Sequence, residues 1–254
     1  MARPIRTVKV KSIALLSFLL IGCLRCIAIP QQEEKPILNV DFTVYSLQRH
    51  EGLKFFTGDR LGSTEIEFFS SARSQVYEYE GLNPIIFFRE IPDPKPEFPD
   101  RVKRIKVAEA TVPQTGGEFL FIFFENKAAE REAYRIYPLE DSTRTLPYGS
   151  IRLFNATPYT VKGLVGRTKV MLRTGPSEAF RHSGNQVSVG LGFSHEGTFY
   201  QSFNSPLQCS SNERGLLMLF PPHVKGSAFL QTRFLRESAP EEETDTTINT
   251  TNAE

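Results

Sequence analysis

Apolar residues in this chain recur every two positions rather than every 3.6, a period that permits strands and leaves little room for helices. Val187-Ser188-Val189-Gly190-Leu191-Gly192-Phe193 shows it most cleanly, with one face apolar and the other small. Alternation or a short apolar run recurs at 40–47, 65–69, 84–88, 118–124, 151–154, 169–172, 198–203, 216–220 and 228–234, each bounded by the Gly, Pro, Asn and Ser that turns require. The stretch with helical composition, Asn126 to Ala133, is too short to count and fits a polar hairpin loop or a single turn equally well. The expectation is an all-β fold.

Phenylalanine asks for more than one buried layer. The chain has 21, with doublets at Phe55-Phe56, Phe68-Phe69, Phe87-Phe88 and Phe123-Phe124. Neighbours on a strand point to opposite faces, so the second ring of each pair needs a layer of its own. Two sheets packed face to face supply one, or else two sandwiches that share an interface.

A loose internal repeat favours the second arrangement. Gly117 to Phe124 leads through a polar loop to Ala133 to Ser142, and Gly215 to Phe220 leads through residues 221–226 to Ala228 to Ser238, both closing on an acid-serine ending. Equivalent ends near 142 and 238 imply halves of roughly 100 residues, the commonest domain size. The expected organisation is two tandem immunoglobulin-like β-sandwich domains, residues 37–142 and 147–238, with a linker at Thr143 to Tyr148. Pro92 to Pro99 has four prolines in eight residues and reads as a stiff surface connector, with a ligand for a Pro-binding groove as the alternative. The tail at 239–254 has no aromatic residue, five acids and no bases, and is expected to be disordered.

The first 28 residues have the make-up of an export signal. Arg3, Arg6, Lys9 and Lys11 precede an apolar run from Ile13 to Leu24, and Cys26-Ile27-Ala28 supplies small residues at a cut after Ala28. Leu20-Ile21-Gly22-Cys23 resembles the bacterial lipobox, which makes lipid attachment at Cys23 the alternative and the chain then a membrane-tethered lipoprotein. The apolar run spans 17 residues even when extended to Ile29, with Arg25 inside it. That is short of the roughly 20 that cross a bilayer. The implied location is periplasmic or extracellular, with membrane contact only through a lipid at Cys23.

Removing that segment takes away five basic side chains, and the remaining 25 basic residues against 29 acidic ones leave −4. A mildly acidic protein has no field of one sign to gather nucleic acid, and the densest basic stretch, Arg101 to Lys106, reads as a solvated strand face. No nucleic-acid partner is expected. Cys209 is then the remaining cysteine, so no intramolecular disulfide forms and burial alone must hold the fold. It falls in the polar stretch Gln208 to Glu213 with no histidine nearby, as an ordinary loop thiol would.

No constellation of catalytic or ligand-binding residues stands out. Gly192-Phe193-Ser194-His195-Glu196-Gly197 has one residue too many for a G-x-S-x-G elbow and lies between two strands, where that motif needs a helix. His195-Glu196-Gly197 reads instead as a hairpin turn, with Gly197 supplying a positive φ. Ser194 and His195, adjacent on a strand, point to opposite faces. His50, His182, His195 and His223 are scattered without metal-ligand spacing, so no metal site is expected. Gly190-x-Gly192 lacks a third glycine and a following helix, so no cofactor is expected either. Glu65 with Glu67, and Glu78 with Glu80, share strand faces in the manner of solubilising pairs. Tyr77 and Tyr79 form a candidate platform for a sugar ring, although tryptophan, the favoured stacking surface, is absent.

Ile151-Arg152-Leu153-Phe154-Asn155-Ala156-Thr157-Pro158, followed by a short hairpin and the turn Gly175-Pro176-Ser177-Glu178, resembles the opening of repeats in uncharacterised exported bacterial β proteins. The resemblance covers the second half and implies export and a sandwich, with no activity to carry over. Asn155-Ala156-Thr157 and Asn249-Thr250-Thr251 fit the N-glycosylation pattern. The expected function is non-catalytic: a structural, assembly or protein-binding role in the cell envelope, with a carbohydrate-binding module and a secreted hydrolase as alternatives. A hydrolase would bring residues such as His182, His195 and Glu196 together in a cleft, whereas a binding module would expose an aromatic or apolar patch.

Overall fold

A computed structural model describes residues 37–57, 62–93, 102–126, 133–224 and 227–240, within one unit that begins at Pro36. The export segment with Cys23 and Ala28, the proline-rich stretch beyond Asp93 and the tail beyond Pro240 lie outside the described residues. Sixteen strands and no helix build the described part. The first eight are β1 (Leu38–Ser46), β2 (Leu53–Thr57), β3 (Gly62–Glu65), β4 (Tyr77–Gly81), β5 (Ile85–Pro92), β6 (Val102–Ala110), β7 (Gly117–Glu125) and β8 (Tyr134–Glu140). The second eight are β9 (Ser150–Asn155), β10 (Val161–Val165), β11 (Thr168–Leu172), β12 (Gly175–Arg181), β13 (Gln186–His195), β14 (Thr198–Gln208), β15 (Glu213–Phe220) and β16 (Gln231–Ser238).

They form four sheets of four: sheet I in the order β4-β1-β7-β8, sheet II β3-β2-β5-β6, sheet III β12-β9-β15-β16 and sheet IV β11-β10-β13-β14. Adding eight to every strand number of sheets I and II reproduces sheets III and IV. Direction matches as well, since β1 with β7 and β9 with β15 are the parallel pairs, while β4 and β12 run antiparallel to their neighbours. The chain is therefore two copies of one eight-strand topology, an N-terminal repeat (β1 to β8) and a C-terminal repeat (β9 to β16).

Three apolar layers result. Phe42, Phe87 and Phe121 meet between sheets I and II, and Ile151, Leu191 and Leu217 between sheets III and IV. The third layer joins the repeats. Tyr45, Leu120, Ile122 and Leu139 on the far face of sheet I bury against Phe154, Leu216, Met218 and Leu235 on the far face of sheet III. Each such side chain contributes about 1.5–3 kcal/mol on leaving water, so this layer is a core in its own right. Thr143 to Tyr148, expected as a linker, drops Leu146 into it at 0% exposure.

The doublets find three different solutions. Phe123 enters the N-terminal core while Phe124 turns to the layer between repeats. Phe55 and Phe87 point inward, and their partners Phe56 and Phe88 stack on each other outside at 4.3 Å, with the Arg104 guanidinium 5.5 and 5.3 Å from the two rings. Phe68 is buried, and Phe69 is left 46% exposed.

Elsewhere the sequence pattern misjudged local structure. Ile66 and Phe68 are buried, but β3 stops at Glu65, so the run 65–69 is core without being strand. Gly175-Pro176-Ser177-Glu178 opens β12 instead of turning, because a register shift between Pro176 and Ala179 lets the proline sit beside the ladder. Asn126 to Ala133 bridges the β7–β8 hairpin, the Asn126 N–H donating to the Ala133 carbonyl at 2.8 Å, and residues 127–132 are outside the described set. The β13–β14 turn has the expected residues, with φ of 50° at Glu196 and 79° at Gly197. The small face of β13 is explained by crowding. A Cβ on Gly192 would run into the Phe199 ring and the Tyr200 carbonyl, and one on Gly163 of β10 into the Gly190 carbonyl.

Candidate functional site

The first strand of each repeat ends on a buried polar residue that ties down the loop after it, and the two ties place different side chains at the same end of the two sandwiches. In the N-terminal repeat, Ser46 Oγ lies 2.9 Å from His50 Nε2 and accepts the Gln48 N–H at 3.4 Å. In the C-terminal repeat, Asn155 Nδ2 donates to the Tyr159 carbonyl at 2.7 Å and to the Leu172 carbonyl at 3.2 Å, and its Oδ1 accepts from the Thr157 N–H and hydroxyl. These satisfied groups are buried, as such groups must be to persist in a core. His50 and Tyr159 are thus counterparts. Register adds another pair, since Leu53 opening β2 faces Arg89 and Val161 opening β10 faces Phe193.

In the N-terminal repeat the counterpart positions carry a chain of polar side chains. Arg89 Nη2 donates to the Tyr134 hydroxyl at 2.7 Å, and that hydroxyl lies 3.3 Å from His50 Nδ1. Arg89 can only donate, so the Tyr134 oxygen accepts from it, and the His50 ring joins Tyr134 to Ser46 through its two nitrogens. Burial, and the Arg89 charge, lower the His50 pKa against the opposing pull of Glu125, which keeps the ring neutral. Ser46 is 4% exposed, so the Ser46–His50 pair is buried within the tie that holds the loop. Asn155 in the matching place makes the same kind of loop tie with no nucleophile. His50 also borders a surface hollow of about 480 Å³ beside Glu65 and Glu67, which Ser46 does not line.

In the C-terminal repeat the same end carries aromatic rings. Tyr159 stacks on Phe193 with centroids 4.4 Å apart and planes 16° from parallel, His195 meets the Tyr159 ring edge-on at 5.8 Å, and Tyr200 lies 5.8 Å from Phe193. Pro221, Pro222 and His223 of the β15–β16 connection form the opposite wall of a cleft of about 410 Å³. Val224 lines it at 66% exposure, and Phe229 follows the lining residue Ala228 at 73%. Phe199, 56% exposed, points to the outer face of β14 away from the cleft.

No known protein family matches the chain, and no curated protein matches it. The assignment of a role therefore rests on this geometry.

The residues singled out in the sequence fall as follows. His195 reaches the cleft, but His182 does not join it, because β12 runs antiparallel to β9 with Arg181 opposite Ser150 while the cleft lies at the Asn155 end. His182 instead has both ring nitrogens buried without a hydrogen-bond partner among the described residues. Glu196 sits in the turn beside His195, 3.8 Å from it, with its side chain 85% exposed. Tyr77 and Tyr79 are core residues at 4% and 8% exposure, Tyr77 accepting the Glu67 N–H and Tyr79 donating to the Leu82 carbonyl, so neither is a sugar platform. The Asn155 amide that a glycan would occupy is fully buried and donates both hydrogens, and Asn249 is outside the described residues. Cys209 is buried rather than on a loop surface, and burial first, with Glu213 second, pushes its thiol up to about 11. The Arg101 to Lys106 stretch falls mostly in edge strand β6, and Lys54 of β2 together with Arg104 pairs with Glu90 and holds its carboxyl below the usual range.

Sequence reasoning missed Tyr159, Phe193, Tyr200, Pro222 and Val224 as a set. They come from separate elements, and each ring taken alone reads as ordinary strand core.

Proposed function

We propose that this is an exported, non-catalytic protein of two tandem immunoglobulin-like β-sandwich domains that works in the cell envelope by binding another protein through the aromatic cleft of its C-terminal repeat. The aromatic cleft carries the reading. Val224 stands exposed on a cleft lined by Tyr159, Phe193 and Tyr200, at a place where the N-terminal repeat has the polar chain of Arg89, Tyr134 and His50. Rings and aliphatic anchors at a pocket are the pattern of a protein-recognition hot spot, in which they exclude water from the centre. The immunoglobulin-like description is supported by two four-stranded sheets face to face in about 100 residues, with the chain crossing repeatedly between them.

Export is supported by the signal at the start of the sequence, with release after Ala28 or tethering at Cys23 as its two outcomes. The resemblance of Ile151 to Pro158 to exported bacterial repeat proteins agrees with it. A carbohydrate-binding module is the second reading, favoured by the stacked Tyr159 and Phe193 rings with His195 and His223 as polar neighbours. The exposed aliphatic side chain of Val224 on the cleft weighs against it.

A photo-crosslinking residue at Val224 or Phe229 in living cells, compared with one at the exposed Val102 of the N-terminal repeat, separates the readings. The expected result is a defined protein adduct, identified by mass spectrometry, from the first two positions and not from Val102. No adduct at any position, together with glycan binding by the purified protein, would transfer the role to sugar recognition.

A further inference from the structure

A second cleft, of about 510 Å³, opens where the two repeats meet, at the edge of the apolar layer between sheets I and III. One wall is held by Arg73, from the connection between β3 and β4. Its Nε and Nη2 grip the Asp141 carboxylate at 2.8 and 3.2 Å, and Asp141 in turn offers its carbonyl to Arg214 Nη1 at 2.7 Å. The Arg73 side chain is only 9% exposed, yet Nη1 has no hydrogen-bond partner. Thr43 Oγ1, on β1 and lining the same cleft, is likewise buried without one. Two orphaned buried donors in one cleft are a standing cost unless an acceptor is supplied from outside the chain.

The other wall poses the opposite problem. Asp41 of β1 and Glu118 of β7 are direct register partners on adjacent strands and both line the cleft. Neither carboxylate has an ion-pair or hydrogen-bond partner among the described residues, and like charges directly opposite each other destabilise a sheet. A cation between them relieves this. Asp41 and Thr43 stand two residues apart on β1, about 6.6 Å along the strand. An ammonium and a carboxylate on one carbon atom span that separation once each has a hydrogen bond of about 2.9 Å.

We propose that this cleft binds a small zwitterion, an α-amino acid or a short peptide, taking its carboxylate at Arg73 Nη1 and Thr43 Oγ1 and its ammonium between Asp41 and Glu118. A simple anion is disfavoured by the acidic wall, and a simple cation leaves Arg73 Nη1, the one Arg73 nitrogen not engaged by Asp141 or Glu237, without an acceptor. The site is separate from the aromatic cleft and does not depend on its role.

Calorimetric titration of the full chain with each of the twenty α-amino acids and with diglycine tests this, using acetate and ethylamine as half-probes. Saturable binding of at least one zwitterion is expected, with either half-probe at least tenfold weaker. Amino acids binding more tightly than diglycine identify the free metabolite as the source, and the reverse order identifies a peptide. Thr43→Val, which removes an unpaired hydroxyl and should not lower stability, and the double change Asp41→Asn with Glu118→Gln should each weaken binding at least tenfold. No saturable heat from any zwitterion, a half-probe that binds as well as the whole, or binding indifferent to both variants would overturn the proposal.

Discussion

Ser74 Oγ accepts the Val44 N–H at 2.8 Å and donates to the Gln75 carbonyl, and Ser177 Oγ accepts the Leu153 N–H at 2.9 Å and donates to the Glu178 carbonyl. The same hydroxyl thus fills the same gap beside the first strand of each repeat. Val44 and Leu153 are both fully buried, so removing either hydroxyl strands a backbone donor away from water. Ser74→Ala and Ser177→Ala should each cost about 1–3 kcal/mol in denaturant melts. A loss within error of zero at either site would mean that the hydroxyl is not what satisfies that strand.

The repeat was legible in the sequence at one end only. β7 with β8 and β15 with β16 are joined by connections of nearly equal length, and Leu120 and Leu216 stay 96 residues apart, as do Leu139 and Leu235. The offset is 103 at Ser74 and Ser177 and 109 at Tyr45 and Phe154, because loops lengthen in one copy and shorten in the other. Such drift destroys a fixed period, while the strand pairing that it leaves untouched is a property of three dimensions. Sheet content was legible because alternation needs only local sequence. The aromatic cleft was not, because its rings converge from the β9–β10 loop, β13, β14 and the β15–β16 connection.

Acid should weaken the N-terminal repeat through His50. Its pKa is lowered by burial, so as pH falls through the ordinary histidine range the unfolded chain takes up a proton that the folded one refuses. Stability is complete above that range and declines below it. Thermal melts between about pH 8 and about pH 5 should show the decline, and His50→Gln should flatten it. An unchanged slope in the variant would place the acid sensitivity elsewhere.

Cys209 should be chemically silent while the protein is folded. Its side chain is 0% exposed, Sγ lies 3.7 Å from the Glu213 carbonyl, and the thiol pKa near 11 leaves almost no thiolate at neutral pH. Iodoacetamide at about pH 8 should label it only after unfolding in denaturant. Labelling of the native protein at the rate of an exposed cysteine would contradict this burial.

The central claim is that the C-terminal repeat recognises a protein through an aromatic cleft at positions where its N-terminal counterpart carries His50 and Arg89. Ala228→Phe places a ring in that cleft from a half-buried wall position, leaving Tyr159 and Phe193 themselves unaltered. The most direct measurement is the affinity of this variant for the partner captured from Val224, beside that of the unaltered protein, at matched melting temperature. At least a tenfold loss is the predicted result, and an affinity equal to that of the unaltered protein would contradict the account.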